Sequence, residues 1–187
     1  MVASDTQNSN RTPRGPRDCL SSAELVARLD EEVNRAARHR TALSCLLVSL
    51  DEVEQLARTH GERLPEQALA YLGAALGRQL RCFDRVGQAA EGELLVVLPG
   101  ADEQRGEIVA RRALGRLHAI KIEIKGKRRP LRVSMGIAAW REGLTGEQLL
   151  SQTRLAAQRR DPSDRSWTGS STDREIDIGE MPTLRRS

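Results

Sequence analysis

Apolar residues recur along the central part of this chain in two periods, flanked by stretches with no period at all. After Ser21, the residues Val26, Leu29, Val33 and Ala37 return every three to four positions and predict an amphipathic helix to about His39. Ser21-Ser22-Ala23-Glu24 marks its start as a capping box, in which hydroxyl and carboxylate satisfy first-turn N–H groups. Thr41 to Leu50 is a continuous apolar run, suited to a strand buried on both faces, with Cys45 inside it as a small hydrophobe. A short helix is expected over Asp51 to His60, punctuated by Gly61. A longer one follows from Pro65 to about Arg81, with Leu69, Leu72, Leu76 and Leu80 on one side.

The next segment switches to strand spacing. Phe83 to Gln88 and Glu93 to Leu98 read as two strands around a turn at Ala89 to Gly92. Asp102 is placed to cap a helix to about His118, with Val109, Ala113, Leu114 and Leu117 apolar. Ile120 to Ile124 and Leu131 to Ala139 are expected strands, joined by the basic loop Lys125 to Pro130. Thr145-Gly146-Glu147-Gln148 is a second capping box and opens a last helix to about Arg159. The order α-β-α-α-β-β-α-β-β-α predicts a single α/β domain with a central mixed sheet flanked by helices. It occupies residues 21–160, between an N-terminal arm (1–20) and a C-terminal tail (161–187) whose polar, turn-rich composition predicts disorder.

Composition changes this picture little. At 187 residues the chain has room for one core and flexible ends. The net charge of +4 rests on basic residues that alternate with Asp and Glu and form no stripe, which argues against nucleic acid as a partner. Lys125, Lys127, Arg128 and Arg129 lack a stacking aromatic and read as a solvated turn. Cys19, Cys45 and Cys82 have no disulfide or metal spacing, as expected of a reducing, cytoplasmic setting. His39, His60 and His118 are isolated and read as surface or helix-end residues, not metal ligands. Nothing resembles a signal peptide or approaches the roughly 20 apolar residues of a membrane span, so no membrane association is expected. Trp167 and residues 176–184 are the only candidates for a docking motif in the tail.

The strand SCLLVSLD, the helix LAYLGAALGRQLR, the segment DRVGQAAEGELLVVLPGAD and the strand RVSMGIA recur in the order and spacing of one family. Over roughly residues 21–160 the chain resembles the GGDEF family of diguanylate cyclases, whose domain is related to adenylyl cyclases and palm polymerases. The resemblance implies that fold, and it places the family's signature on Ala90, Glu91, Gly92, Glu93 and Leu94. The family's two glycines let backbone N–H groups approach a triphosphate. Here Ala90 adds a Cβ and Glu91 a negative charge. The third signature position, a metal-binding carboxylate in the family, is Gly92. The other metal ligand aligns with Ser49, and the second Asp of that strand end with Asp51. A divalent ion holding a triphosphate needs hard anionic oxygens, and of the signature's acids Glu93 alone remains. The guanine-reading Asn aligns with Ala57, the Asp after it with Arg58, and the last helix's motif with Thr153 to Gln158. The resemblance therefore implies a chain with no catalytic residues, no metal and no cofactor.

The family's inhibitory RxxD is retained as Arg81-Cys82-Phe83-Asp84, at the family's distance from the signature. In the family this site binds cyclic di-GMP, and a second arginine often joins it; the aligned position is Arg112, beside Arg111. A guanidinium can fork onto guanine O6/N7 or a phosphate, and a carboxylate can accept guanine N–H groups. The implied function is a cyclic di-GMP receptor acting through a signalling protein or another GGDEF domain. The alternatives are a ligand-independent interaction module and a residual cyclase. Against ligand binding stands the reading of Arg81 and Asp84 as an exposed ion pair worth about 0–1 kcal/mol.

Overall fold

The computed structural model describes residues 19–51, 53–61, 63–117, 120–124 and 127–159. Leu43–Leu50 (β1) is the centre of the molecule. It pairs on one side with Glu93–Pro99 (β3) and on the other with Val133–Ala139 (β6), while Arg85–Ala90 (β2) flanks β3. The order β2-β3-β1-β6 is antiparallel throughout. This corrects the expected mixed sheet. The helical crossovers do return the chain in parallel, so β1 runs with β2 and β3 with β6. These strands are not neighbours, however, because β3 separates the first pair and β1 the second.

β1 is buried almost throughout, as its unbroken apolar run predicts, because helices cover both faces of the sheet. Leu46, Val48, Val96, Leu98, Met135 and Ile137 face Arg63–Gly77 (α3) and Glu103–Leu117 (α4). Leu43, Cys45, Leu47, Leu95 and Val97 face Ser22–His39 (α1) and Gly146–Gln158 (α5). Burial pushes the Cys45 thiol far up, so it stays neutral in the core. The short helix Val53–His60 (α2) rests its Val53 and Leu56 on the first cluster.

Both capping boxes form. Ser21 Oγ accepts from Glu24 N–H while Glu24 accepts from Ser21 N–H, and Thr145 and Gln148 do the same for α5. Asp102 caps α4 as expected, its Oδ1 accepting from Arg105 N–H at 2.9 Å.

Several boundaries and faces differ from expectation. Arg85–Ala90 (β2) starts two residues later than the expected Phe83 and takes in Ala89 and Ala90, which leaves Phe83 in the loop before it. On α1 the buried stripe is Leu25, Leu29, Glu32, Val33 and Ala36, with Val26 49 % exposed; the helix is turned by one residue because Leu25, not Val26, completes the core. α3 stops at Gly77, four residues before Arg81, and Leu80 packs from the loop beyond it. The basic segment Lys127–Pro130 (β5) is itself a strand, paired with Lys121–Ile124 (β4) in a separate two-stranded ribbon. Finally, Cys19 and Leu20 of the arm are among the described residues. Leu20 bridges to Gly87 in parallel, its N–H donating to Val86 O and its O accepting from Gln88 N–H. The rest of the arm (1–18) and the tail with Trp167 lie outside the described residues, as does His118.

α5 reaches the sheet through a missing side chain. A Cβ on Gly136 of β6 would meet backbone atoms of α5, Ala157 N and Thr153 O among them. Thr153 at this contact is fully buried and donates its hydroxyl to Leu149 O at 2.6 Å.

Candidate functional site

Two stations lie on the β2–β3 hairpin, one at its turn and one at its entrance. At the turn, Ala90 pairs with Glu93 across Glu91 and Gly92, after a register shift between Gln88 and Ala90. Gly92 has φ +71°, a left-handed conformation that suits glycine. Its carbonyl accepts from Leu50 N–H at 2.8 Å, so the turn is tied to the end of β1. A Cβ at Gly92 would lie 2.5 Å from Val53 Cγ2.

Across the sheet at this level runs a row of part-exposed polar residues, Glu93 on β3, Ser49 on β1 and Ser134 on β6, paired in register. α5 covers one end of it. Arg154 grips Glu93 with two nitrogens, Nε at 3.1 and 3.0 Å from the two carboxylate oxygens and Nη2 at 2.6 Å from Oε2. The pair is sheltered, with side chains 33 % and 16 % exposed. Hydrogen bonding to Glu93 holds the Arg154 guanidinium charged against the opposing effect of burial. At the other end Asp51 Oδ1 accepts from Ser134 Oγ at 2.7 Å, and its N–H donates to Arg132 O.

These donors do not fit a divalent cation. Ser49 and Gly92 bring no carboxylate, Glu93 is engaged by a guanidinium, and Asp51 is turned toward β6. No group of three or more potential metal-ligating side chains occurs among the described residues. On α2, Arg58 pairs with Glu54 at 3.1 Å and is 80 % exposed, and Ala57 offers no hydrogen-bonding side chain.

The entrance is the loop between α3 and β2. Asp84 is 4 % exposed, and its Oδ2 accepts the backbone N–H of Arg81 at 2.8 Å, while Asp84 N–H returns to Arg81 O at 3.1 Å. Arg85 Nη1 then donates to both Cys82 O and Asp84 O, closing the loop from the far side. Asp84 and Arg81 are therefore not the exposed ion pair weighed above. The carboxylate is an internal brace for the turn, and the Arg81 guanidinium is directed over the ring of Phe83, 5.9 Å from its centroid. Burial pushes the Asp84 carboxyl above its usual value, and the Arg81 N–H bond with the Arg81 and Arg85 charges pulls it back down. Arg112 is exposed on α4 and makes no ion pair or hydrogen bond with another described residue, whereas Arg111 approaches Glu107 at 3.9 Å. Cys82 is exposed.

The description of one protein family, the diguanylate cyclase GGDEF domain, matches residues 21–165. The chain belongs to the GGDEF family. GGDEF structures share its fold. The cyclase SiaD from Pseudomonas aeruginosa, solved with its activator SiaC, matches with a TM-score of 0.71 at 23 % identity, over 80 % of this chain. This chain spans 57 % of SiaD. The GGDEF domain of DgcB from Caulobacter crescentus, solved with c-di-GMP, gives 0.70 at 16 % identity over 84 % of this chain and 89 % of that one. The FimX GGDEF domain from Pseudomonas aeruginosa gives 0.69 at 14 % identity over 76 % and 89 %. None of the curated proteins matches.

Within this GGDEF frame the structure joins Arg81 and Asp84 in one closed loop, and Arg112 lies exposed on α4. Three residues at the two stations take roles that the sequence pattern does not assign them. Arg154 was legible there only as a changed position in the last helix's motif; its partner Glu93 is 61 residues away. Arg85 and Phe83 act on the RxxD loop itself. The one available signal for Phe83 was its being the chain's single phenylalanine.

Proposed function

We propose that this GGDEF domain has lost cyclase activity and serves as a cyclic di-GMP receptor through Arg81 and Arg112, with Asp84 bracing the loop that carries Arg81, passing the bound state to a partner protein. One observation carries the reading: the RxxD loop is kept closed on its buried Asp84 with a free guanidinium face. Around the signature, by contrast, the acid that remains is neutralised from within by Arg154. The guanidinium supplies a fork for guanine O6/N7 or phosphate oxygens, and Arg112 adds a cation that pairs with no other described residue. The presence of c-di-GMP in the DgcB structure supports the ligand class, and that of SiaC on SiaD supports a protein as the receiving partner. The described helices include none long and apolar enough to cross a membrane, which suits such a receptor.

Titration calorimetry tests this directly. Wild type is expected to bind cyclic di-GMP, and Arg81→Ala to weaken it about 10- to 100-fold, the range for a hydrogen bond to a charged group. Absence of heat with wild type at high micromolar ligand would remove the receptor reading and leave the interaction module. Cyclic product from GTP with Mg²⁺ or Mn²⁺ would instead restore the enzyme.

The brace has its own pH signature. The folded-state pKa of Asp84 lies above the unfolded value, so the native state takes up the extra proton. Wild type then gains stability as pH falls through that raised value, and carries a penalty for the buried charge above it. Asp84→Asn carries no such charge. Urea midpoints should therefore move in favour of wild type, relative to Asp84→Asn, between pH 7 and about pH 4. A difference that stays flat over that interval would count against a buried ionised brace.

A further inference from the structure

The sheet has two outer edges, and they are closed differently. Backbone bonding along β1 alternates between its neighbours. Leu50 N–H donates to Gly92 O on the β3 side, whereas Leu43 O accepts from Trp140 N–H and Asp51 N–H donates to Arg132 O on the β6 side. With the β1–β6 register, that parity turns the even residues of β6 toward β1. It aims the N–H and C=O of Val133, Met135, Ile137 and Ala139 outward. At the β2 edge such groups are used, since Leu20 takes both Val86 O and Gln88 N–H. At the β6 edge no described residue offers the four outward residues a backbone partner. Met135 and Ile137 are nevertheless 1 % exposed, so water does not serve their polar groups either. Buried backbone groups without a partner are rare, because each forfeits a hydrogen bond.

We infer that residues 175–179 of this chain's own C-terminal segment add to β6 as a further strand of the sheet. Most of that segment is polar and turn-rich, but Glu175-Ile176-Asp177-Ile178 alternates an acid with a β-branched apolar residue, and Gly179 ends the run. The route is short. α5 lies on β6 at Gly136, against Thr153 and Ala157, and the segment follows directly from it. Residues 160–174 span up to about 50 Å when extended, against about 23 Å for the length of β6. Charge agrees as well. α4, packed on β6, carries exposed Arg105, Arg111, Arg112 and Arg116 against Glu103 and Glu107, and the incoming strand brings Glu175 and Asp177. The N-terminal arm is already tied to the opposite edge through Leu20, and residues 1–18 hold no such alternation.

Amide hydrogen exchange of the full chain, resolved to single residues by NMR, reads both rows of β6 at once. In wild type the Met135 and Ile137 N–H groups are expected to be protected. Asp177→Pro and Ile178→Pro each delete one N–H. Successive N–H groups point to opposite edges of a strand, so one of the two variants removes a ladder bond. That variant should speed exchange at Met135 and Ile137 about tenfold or more, while Ser134, Gly136 and Ala138, bonded to β1, keep their rates and report an intact fold. Ile178→Val should leave every rate as in wild type. The inference falls if Met135 and Ile137 exchange freely in wild type, or if neither proline changes them. Equal speeding of both rows would mean a general loosening and would also overturn it. Protection that rises with protein concentration would assign the edge to a second copy of the chain instead.

Discussion

Gly136→Val is expected to cost the domain about 3 kcal/mol or more and to lower its melting temperature by roughly 6–12 °C. α5 crosses β6 at this glycine with its backbone, and the atoms that an added Cβ would meet, Thr153 O at 2.5 Å and Ala156 C at 2.7 Å, belong to the helix main chain. Rotamer changes cannot relieve such a clash; the whole helix must lift. Lifting it withdraws Leu149 and Ala157 from the cluster they share with α1 and exposes buried Thr153, and the native state has only about 5–15 kcal/mol to lose. Gly136→Ala should follow the same direction with a smaller step. Urea unfolding measures it as a fall in midpoint with an unchanged slope. A Gly136→Ala midpoint equal to wild type would show that α5 does not bear on the sheet here.

The second large effect is expected at Arg154. Arg154→Ala leaves Glu93, with its side chain 16 % exposed, charged without a partner, and a loss of about 1–2 kcal/mol should follow. Part of that loss reflects the stranded carboxylate, so a double-mutant cycle with Glu93→Ala isolates the coupling. The molecule contains its own reference. Arg58 and Glu54 form a comparable contact on α2, but their side chains are 80 % and 85 % exposed. Their cycle should return about 0–0.5 kcal/mol, and salt should screen it further. Equal couplings for the two pairs would mean that the Arg154 contact is an ordinary surface pair and does not fasten the hairpin to α5.

The elements that the sequence resolved are those whose signals are local. The unbroken apolar run of β1 foretells burial on both faces, and the capping boxes at Ser21 and Thr145 locate helix starts to the residue. Signals that mislead are also local. Leu80 continues the apolar row of α3 past the Gly77 at which the helix stops. Lys127–Pro130 carries charge and a proline, yet forms a strand because Lys121–Ile124 offers it a partner. Leu20 joins β2 through two backbone bonds that leave no pattern behind. At the candidate site, the RxxD spacing was readable but the buried state of Asp84 was not, since it depends on how the loop closes. The Arg154–Glu93 contact lay wholly beyond reach, because only the packing of α5 on Gly136 brings them together.

Gly92 limits what the hairpin turn can carry. Placing an aspartate at this position asks a left-handed residue to carry a side chain whose Cβ lies 2.5 Å from Val53 Cγ2. Val53 is β-branched, which restricts its χ1, and it packs against the core from the first turn of α2. A substitution that places a carboxylate here must therefore clear Val53 first. Taken in the other order, the first step is unfavourable. A library that introduces a carboxylate at this turn should therefore vary positions 53 and 92 together, with 154 as the position that engages Glu93.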